Sequence, residues 1–323
     1  MILIAGGAGY IGSHCLLDFK RAGYDCIVFD NLVEGHLKSV GKSILIQGDL
    51  SNKEDIRKVF EKYPVKAVIH FAASCYVGES VSDPEKYYYN NVVNTLNLLG
   101  VMKEYNVKNI VFSSTCATYG NPEYVPIDEK HQQNPINPYG TTKLVIEKIL
   151  KDYDRAYGIK YMLLRYFNAA GADNQENIGE SHRIETHLIP LVLQVASGKL
   201  PSIKIFGDDY DTSDGTCIRD YIHVNDLSSA HRLALEKLFS GSESNFYNLG
   251  IGKGYSVSEI IEICEKVTGL PVKKEISPRR EGDPPVLVAS NSKATRELGW
   301  KPRFTEIEDI IKSAWHWEKN RKY

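Results

Sequence analysis

The chain has 323 residues, of which 39 are lysine or arginine and 41 are aspartate or glutamate, so its formal net charge at pH 7 is −2. The length suits one large α/β domain or a domain and a half, and the balanced charge gives no sign of nucleic acid or an anionic membrane as a partner, which favours a small molecule. Six scattered cysteines without a Cys-x-x-Cys pair predict reduced thiols in a cytoplasm and no metal site. Neither a signal peptide nor an apolar stretch of about 18 residues is visible, so no membrane segment is expected.

Short apolar segments alternate with longer helical patterns through the first half of the chain. The predicted strands are Ile2–Ala5, Cys26–Phe29, Ile44–Ile46, Ala67–His70, Asn109–Phe112 and Tyr161–Leu164. The predicted helices cover about residues 11–22, 52–62, 84–104 and 138–157. Strands that are apolar on both faces and separated by helices require a parallel sheet with helices on each face. The predicted fold class is therefore α/β, with a doubly wound, Rossmann-type sheet.

The alternation becomes irregular after Arg165, where polar loops and a basic, proline-bearing stretch at 273–285 follow. Loops of this kind often carry ligand-specific chemistry. We expect a Rossmann domain over residues 1–170 and a smaller α/β domain for the substrate over residues 171–323. The strand Tyr221–Val224 and the helix after it, together about residues 221–240, are expected to rejoin the first domain.

A glycine-rich run, GGAGYIG at 6–12, follows the first strand and opens a helix. Gly6, Gly9 and Gly12 let the chain turn sharply and let a pyrophosphate approach the free N–H groups of the helix N-terminus. A glycine triplet also occurs where a turn only packs a helix on a strand, so the context decides. Asp30 ends the second strand, where its carboxylate can accept both hydroxyls of an adenosine ribose and repel a 2′-phosphate. The pattern favours NAD over NADP, with Asp49 placed to meet the adenine.

A Tyr-x-x-x-Lys pair, Tyr139 and Lys143, begins the helix that follows Pro138, which puts both side chains on one face. Lys143 can hold the cofactor ribose and lower the pKa of Tyr139 from about 10, which turns the phenol into a usable base. Thr115 ends the fifth strand, at the edge where open α/β sheets bind ligands. A solvated helix face and a hydroxyl that bonds its own turn are the alternative. Together the three residues predict a catalytic site.

These motifs resemble the extended short-chain dehydrogenase/reductase family over nearly the whole chain. Within that family, longer phrases are similar to those of the UDP-glucose 4-epimerases: GGAGYIGSH at 6–14, VGES at 77–80, LRYFN at 164–168, GTCIRDYIHV at 215–224 and RREGD at 279–283. The resemblance implies an isomerase of galactose metabolism that interconverts UDP-glucose and UDP-galactose and holds NAD as a resident group. It also implies a homodimer paired through the helices near 84–104 and 138–157, with Val92, Val93, Leu96 and Leu99 as candidate contacts.

The resemblance assigns further residues to each ligand. To the cofactor it adds Tyr10, Ile11, Asn31, Leu50, Phe71, Ala72, Ala73, Asn90 and Phe167. To the substrate it assigns Thr115, Asn168, His187, Leu188, Phe206, Arg219, Arg280, Asp283 and Leu287. In this scheme Arg219 and Arg280 grip the diphosphate, Phe206 faces the uracil, and Leu287 borders the hexose. Surface ion pairs are the alternative for the two arginines, and a place in the core is the alternative for Leu287.

Three positions depart from the best-known bacterial pattern. Thr115 stands where serine is common, and it keeps the hydroxyl that would bond the sugar O4. Cys75 replaces a lysine that can reach the cofactor, which leaves that contact in doubt. His187 replaces an asparagine near the diphosphate, and both residue types can donate a hydrogen bond.

The implied mechanism is oxidation at C4 of the sugar followed by reduction from the other face, because an unactivated carbinol is inverted only by removing a hydride. Three alternatives stay open. The chain could epimerise another UDP-sugar, such as UDP-N-acetylglucosamine or UDP-xylose. It could be a sugar-nucleotide dehydratase or decarboxylase, although Cys116 and Ala117 stand where a dehydratase has an Asp-Glu pair. It could also sense NAD without turnover, although such a regulator has no need for a catalytic tyrosine and lysine.

Overall fold

The computed structural model describes residues 1–280 and 283–323. Its strands are β1 Ile2–Ala5, β2 Cys26–Asp30, β3 Ile44–Gln47, β4 Ala67–His70, β5 Asn109–Thr115, β6 Lys160–Tyr166, β7 Asn168–Ala170, β8 Ala172–Asp173, β9 Ile178–Gly179, β10 Ile203–Phe206, β11 Ile218–His223, β12 Asn245–Leu249, β13 Gly254–Ser256, β14 Lys274–Ser277 and β15 Val286–Leu287. Its helices are α1 Tyr10–Arg21, α2 Leu37–Val40, α3 Lys53–Lys62, α4 Val77–Ser82, α5 Pro84–Tyr87, α6 Asn94–Glu104, α7 Pro138–Tyr157, α8 Leu188–Ala196, α9 Val224–Phe239, α10 Val257–Thr268, α11 Ser292–Leu298 and α12 Ile307–Lys319. A π-helical segment covers Tyr88–Val93, and a 3₁₀ turn covers Cys116–Thr118.

Seven parallel strands form the large sheet, in the order β12, β6, β5, β4, β1, β2, β3. The chain builds outward in one direction from β1 to β3 and then returns to β4 on the other side of β1. The loops that leave β1 and β4 therefore diverge at the carboxyl edge, and in open α/β sheets such a switch point is where ligands bind. This topology confirms the predicted doubly wound, Rossmann-type sheet.

Apolar side chains cover both faces of this sheet. One layer includes Phe19 of α1 and Leu235 of α9, and the opposite layer includes Phe60 of α3, Leu98 of α6 and Leu150 of α7. Each fully buried side chain of this size contributes about 1.5–3 kcal/mol. The packing fixes the sheet as a rigid support for the loops at its carboxyl edge.

Helix α7 begins and ends where the sequence predicts. The Asn137 side chain accepts a hydrogen bond from the Gly140 N–H at 2.8 Å, and Pro138 occupies the first helical position. Gly158 ends the helix with a left-handed conformation, φ 65°. The helix start that presents Tyr139 and Lys143 is thus defined by its own local sequence.

The helix expected over 84–104 is instead interrupted. It consists of α5, the π-helical segment and α6, and the wider π turn places Asn91 in the interior. The Asn91 side chain accepts from Ser74 N at 2.8 Å and donates to Ser74 O at 3.0 Å and to Thr142 Oγ1 at 3.1 Å. A regular helix would not aim this amide at both partners, so the interruption links the loop after β4 to α7.

A second, smaller core lies beyond residue 166. Strand β11 pairs with β7, β13 and β15 there, and α8, α10 and α12 supply most of the buried apolar side chains. The strand expected at 221–224 therefore belongs to this smaller sheet. The return to the large sheet is made by α9, whose Leu227 and Leu235 pack on it, and by β12, which pairs with β6. Within residues 1–280 and 283–323, no helix combines the length and apolarity needed to cross a membrane.

Candidate active site

Of the four glycines in the first loop, Gly6, Gly9 and Gly12 have two different roles. Gly6 has φ +78°, and a Cβ there would lie 2.5 Å from Ala72 N; a Cβ at Gly12 would lie 2.2 Å from Gly6 O. These two positions require glycine for the fold itself. Gly9 has an ordinary φ of −76°, and its Cβ would meet only Gly6 O, at 3.5 Å. The protein's own packing makes no demand for glycine at position 9, so its missing side chain leaves room for a ligand.

Gly9 is also the N-cap of α1, and no side chain caps this helix. The N–H groups of the first turn and the helix dipole are therefore available to an anion. Tyr10 and Ile11 begin α1, and the Tyr10 hydroxyl donates to Gly171 O at 2.7 Å. The ring of Tyr10 is fixed by this bond, while its hydroxyl is already used within the protein.

A buried carboxylate faces the glycine loop from the end of β2. Asp30 accepts hydrogen bonds from Ala8 N at 2.9 Å and Leu32 N at 2.8 Å, one on each oxygen. Burial raises the pKa of Asp30, and the two backbone bonds partly offset that rise. Each oxygen keeps a lone pair that a ribose hydroxyl can use. Nearby, Asn31 Nδ2 donates to Asp49 Oδ2 at 2.8 Å, beside the buried Leu50.

The residues after β4 border the same loop. Phe71, Ala72 and Ala73 follow that strand, and the backbone of Phe71 and Ala72 lies against Gly6. Asn90 lies in the π-helical segment and donates from Nδ2 to Ser74 Oγ at 3.0 Å. The structure thus brings the predicted cofactor residues of β1, β2, β4 and the π-helical segment to one edge of the sheet.

Lys143 is a buried ammonium group with few partners. Its Nζ donates to Ser113 O at 2.8 Å and lies 4.8 Å from the centre of the Phe112 ring. One acceptor leaves two of its three N–H groups for a diol. Burial lowers the pKa of Lys143 to about 8. The group therefore suits an added ligand with several hydroxyl acceptors.

Tyr139 and Thr115 meet beside this lysine. Burial raises the pKa of Tyr139 well above 10, and the neighbouring Thr115 side chain partly opposes that rise. Lys143 Nζ lies 5.9 Å from the Tyr139 ring centre because it donates its hydrogen bond to Ser113 O. In the protein without bound ligand, burial outweighs the effects that lower the pKa of this phenol.

The two predicted arginines meet at a single carboxylate. Arg219 Nη2 lies 3.1 Å from Asp283 Oδ1, and Arg280 Nη2 lies 2.9 Å from Asp283 Oδ2. The Arg280 guanidinium also lies 4.8 Å from the Phe206 ring centre. Leu287 is paired with Arg219 across β11 and β15 and packs beside Cys116, Ile127 and Phe167. Three chain segments, at Phe206, at Arg219 and at Arg280, Asp283 and Leu287, thus form one polar wall with an aromatic face.

The remaining predicted substrate residues lie around this wall. Asn168 begins β7, and its Nδ2 donates to Asp220 O at 3.1 Å. Leu188 begins α8, and His187 is the residue just before it. Burial alone lowers the pKa of His187, but Glu180 and Glu185 outweigh it, so the pKa lies well above 6.5. His187 thus lies in an acidic cluster.

Sequence reasoning missed a buried ion pair beneath the site. Glu147 and Arg165 are almost fully buried, and their charged groups lie 2.6 Å apart. Ser114 Oγ donates to Glu147 at 2.6 Å, and Arg165 Nη1 donates to the Tyr119 hydroxyl at 2.9 Å. The pair joins β5, β6 and α7 directly under Thr115 and Tyr139. Its signal was Arg165 in an otherwise apolar strand, where a charge needs a partner.

The chain is similar to known proteins over most of its length. Residues 2–250 match the NAD dependent epimerase/dehydratase family. The chain belongs to this family. Among its relatives, UDP-glucose 4-epimerase of Halalkalibacterium halodurans is 51% identical over 322 residues, which is 100% of this chain and 96% of that protein.

Solved structures of this epimerase/dehydratase family extend the likeness to three dimensions. UDP-glucose 4-epimerase from Brucella ovis in complex with NAD is 48% identical with a TM-score of 0.95, covering 97% of both chains. UDP-glucose 4-epimerase from Bifidobacterium longum in complex with NAD⁺ and UDP is 41% identical with a TM-score of 0.94, covering 99% of this chain and 98% of that one. The chain is an NAD-dependent enzyme, and the free side of Gly9, the open lone pairs of Asp30 and the unused N–H groups of Lys143 fit that cofactor.

Proposed function

We propose that this chain is a UDP-glucose 4-epimerase that interconverts UDP-glucose and UDP-galactose with resident NAD, as a step of galactose metabolism. The observation that carries the proposal is the meeting of Tyr139, Thr115 and Lys143 at the sheet edge, opposite the wall of Arg219, Arg280 and Phe206. One set can move a proton at a sugar hydroxyl, and the other can hold a nucleotide diphosphate. The relatives with matching names support the same conclusion.

Different residues would bind different parts of the cofactor. The α1 N-terminus at Gly9 would hold the pyrophosphate, Asp30 the adenosine ribose, and Lys143 the nicotinamide ribose. When bound, NAD would accept the hydride that leaves C4 and return it to the ketose. The Lys143 ammonium beside Tyr139 would favour the ionised phenol that takes the O4 proton.

Tyr139 then serves as the base at the sugar O4, and Thr115 donates a hydrogen bond to the same oxygen. Arg219 and Arg280 turn from Asp283 to the diphosphate and bind it through charge-assisted hydrogen bonds. The hexose itself is held less firmly than the nucleotide. The flat 4-ketose can therefore rotate in place and take its hydrogen back on the other face.

The groups next to Thr115 disfavour a dehydratase. Elimination of water requires an acid and a base beside that hydroxyl. Burial raises the pKa of Cys116 to about 12, so its thiol does not titrate near neutral pH, and Ala117 has no titratable side chain. Epimerisation needs neither group.

Incubation with UDP-galactose, UDP-N-acetylgalactosamine and UDP-xylose, followed by chromatographic identification of the products, tests the proposal. We expect UDP-galactose to yield UDP-glucose without added cofactor. A 4-keto-6-deoxy product would assign a dehydratase instead. Complete lack of consumption of all three sugars would favour a protein that binds NAD without turnover.

Selectivity at C2 of the sugar is predicted to depend on Leu287. It is partly buried and lies next to Arg219 and Phe167, where an N-acetyl group would have to fit. Forcing extra atoms into a packed site costs ~1–3 kcal/mol, so UDP-glucose and UDP-galactose should be preferred over their N-acetylated forms by about tenfold or more. The measurement is kcat/KM for both substrate pairs in the parent and in Leu287→Gly. Equal turnover of both pairs by the parent, or an unchanged ratio in the variant, would reject this role.

Two chains are predicted to associate through the helices around 84–104 and 138–157. Val93 and Leu96 are exposed, as are Tyr89 and Tyr157 on the same surface elements, whereas Leu99 is fully buried and Val92 packs on the core. The candidate contacts therefore narrow to the exposed side chains. Light scattering should report a dimer at micromolar concentration, and Leu96→Glu should shift it to a monomer. A parent chain that is monomeric at that concentration would exclude the homodimer.

The cytoplasm is the proposed location. All six cysteines carry free thiols, which is the usual state in a reducing compartment.

A further inference from the structure

The segment just before α8 has the sequence Glu-Ser-His-Arg-Ile-Glu-Thr-His, from 180 to 187. Glu180, His182, Glu185 and His187 each offer one potential ligand atom, and these four atoms all lie within 4.8 Å of one another. Both histidines present Nδ1 to the two carboxylates. We name these four residues the Glu₂His₂ cluster.

The separations in the Glu₂His₂ cluster match those of a small coordination sphere. His182 Nδ1 lies 3.4 Å from Glu180 Oε1 and 3.4 Å from Glu185 Oε2, and His187 Nδ1 lies 3.5 Å from Glu185 Oε1. In a tetrahedral zinc site with bonds of about 2.1 Å, neighbouring ligand atoms lie about 3.4 Å apart. The contact of 2.5 Å between His187 Nδ1 and Glu180 Oε1 is a direct hydrogen bond, which a metal ion would replace with a longer separation.

Charge and burial also favour a cation. The side chains of Glu180 and Glu185 are only 5% and 7% exposed, and buried carboxylates require a compensating partner. Across residues 1–280 and 283–323, neither carboxylate forms an ion pair with lysine or arginine, and Arg183 lies instead on Glu34. One divalent ion would balance the two carboxylates once each imidazole presents a lone pair to it.

Neighbouring groups already orient the ligands. Thr186 N and His187 N both donate to Glu185 Oε1 at 2.9 Å. Trp317 Nε1 donates to the Glu180 carbonyl at 2.7 Å, which fixes the backbone of that ligand against α12. Such outer contacts hold metal ligands in position and raise affinity.

We propose that the Glu₂His₂ cluster binds one divalent transition-metal ion, with zinc the best match to two imidazoles and two carboxylates. Four protein ligands leave no vacant position, so the ion is structural and holds residues 180–187 in one arrangement. The absence of metal expected from the sequence rested on cysteine spacing, and this cluster contains no cysteine. The inference stands apart from the proposed epimerase activity, and its tests do not measure turnover.

Calorimetric titration of chelator-treated protein with zinc chloride, with metal analysis after gel filtration, tests the site. We expect about one zinc ion per chain and a higher midpoint of thermal unfolding, because a ligand that binds only the folded state stabilises it. His182→Gln should weaken zinc binding by about tenfold or more. Cys75→Ser is the matched control, because it removes an exposed thiol outside the cluster and should leave binding unchanged.

X-ray absorption spectroscopy of the zinc-loaded parent supplies a test that needs no variant. We expect only nitrogen and oxygen neighbours, with the outer-shell signature of two imidazoles. Sulfur in the first shell would place the zinc elsewhere and overturn the proposal. So would zinc binding that is unchanged in folded His182→Gln, or a parent that binds no zinc at micromolar concentration.

Discussion

Replacing Tyr139 by phenylalanine is expected to lower kcat by about 10²–10⁴-fold while leaving UDP binding nearly unchanged. The phenolic oxygen is the proposed proton acceptor at the sugar O4, and its side chain neighbours Thr115 at the end of β5. The ring itself remains in the variant, so the shape of the pocket is kept. Steady-state kinetics with UDP-galactose and calorimetric binding of UDP separate the two effects.

Tyr157→Phe provides the matched control for this experiment. Tyr157 lies at the far end of the same helix, α7, and its side chain is exposed. Removing the Tyr157 hydroxyl should change neither kcat nor KM. Near-normal turnover in Tyr139→Phe would assign the proton transfer to another group.

Wild-type protein is expected to purify with about one NAD per chain, since a cofactor that is reduced and reoxidised in one turnover has no need to leave. Gly9→Val should weaken this binding by about 10- to 100-fold, because the new side chain occupies the space proposed for the pyrophosphate and overpacking costs ~1–3 kcal/mol. The fold should tolerate the change, since a Cβ at Gly9 meets only Gly6 O at 3.5 Å. Dinucleotide released on denaturation, measured by absorbance and chromatography, gives the occupancy.

Gly12→Ala distinguishes loss of cofactor from loss of structure. Its Cβ would lie 2.2 Å from Gly6 O, so this variant should lower the thermal stability of the cofactor-free protein itself. Cofactor-free Gly9→Val should instead unfold at nearly the same temperature as the cofactor-free parent. Both proteins are compared without NAD because bound NAD would itself raise the unfolding temperature. Full NAD occupancy in Gly9→Val would show that the pyrophosphate does not approach this residue.

The sequence alone determined six of the seven strands of the large sheet and the edge proposed for the cofactor. Runs such as Ile2–Ala5 and Ala67–His70 are apolar on both faces, and only a parallel sheet covered by helices buries both. The positions of Gly6, Asp30, Tyr139 and Lys143 relative to these strands then followed, because each lies within a few residues of a strand end or helix start. Local signals of this kind, such as Asn137 and Pro138 before α7, act through neighbouring backbone groups.

The sequence pattern of a single segment did not predict conformations that depend on contacts with distant segments. The interruption of the helix at Tyr88–Val93 depends on Asn91 reaching Ser74 and Thr142, and the seventh strand of the large sheet, β12, is recognised only by its pairing with β6. The raised pKa of Tyr139 likewise depends on burial by segments distant in sequence.

The proposed substrate side of the site also combines residues identified from the sequence with contacts that only the structure shows. The sequence supplied Arg219, Phe206 and Asp283 as separate residues, through resemblance to a family, and it supplied no reason to connect Glu180 with His187 as a possible metal site. Only the tertiary structure brings Arg219 to Asp283, 64 residues later in the chain, and closes the Glu₂His₂ cluster. Side-chain separation in space is set by how the two cores pack together, and the periodicity of a single segment carries no information about that packing.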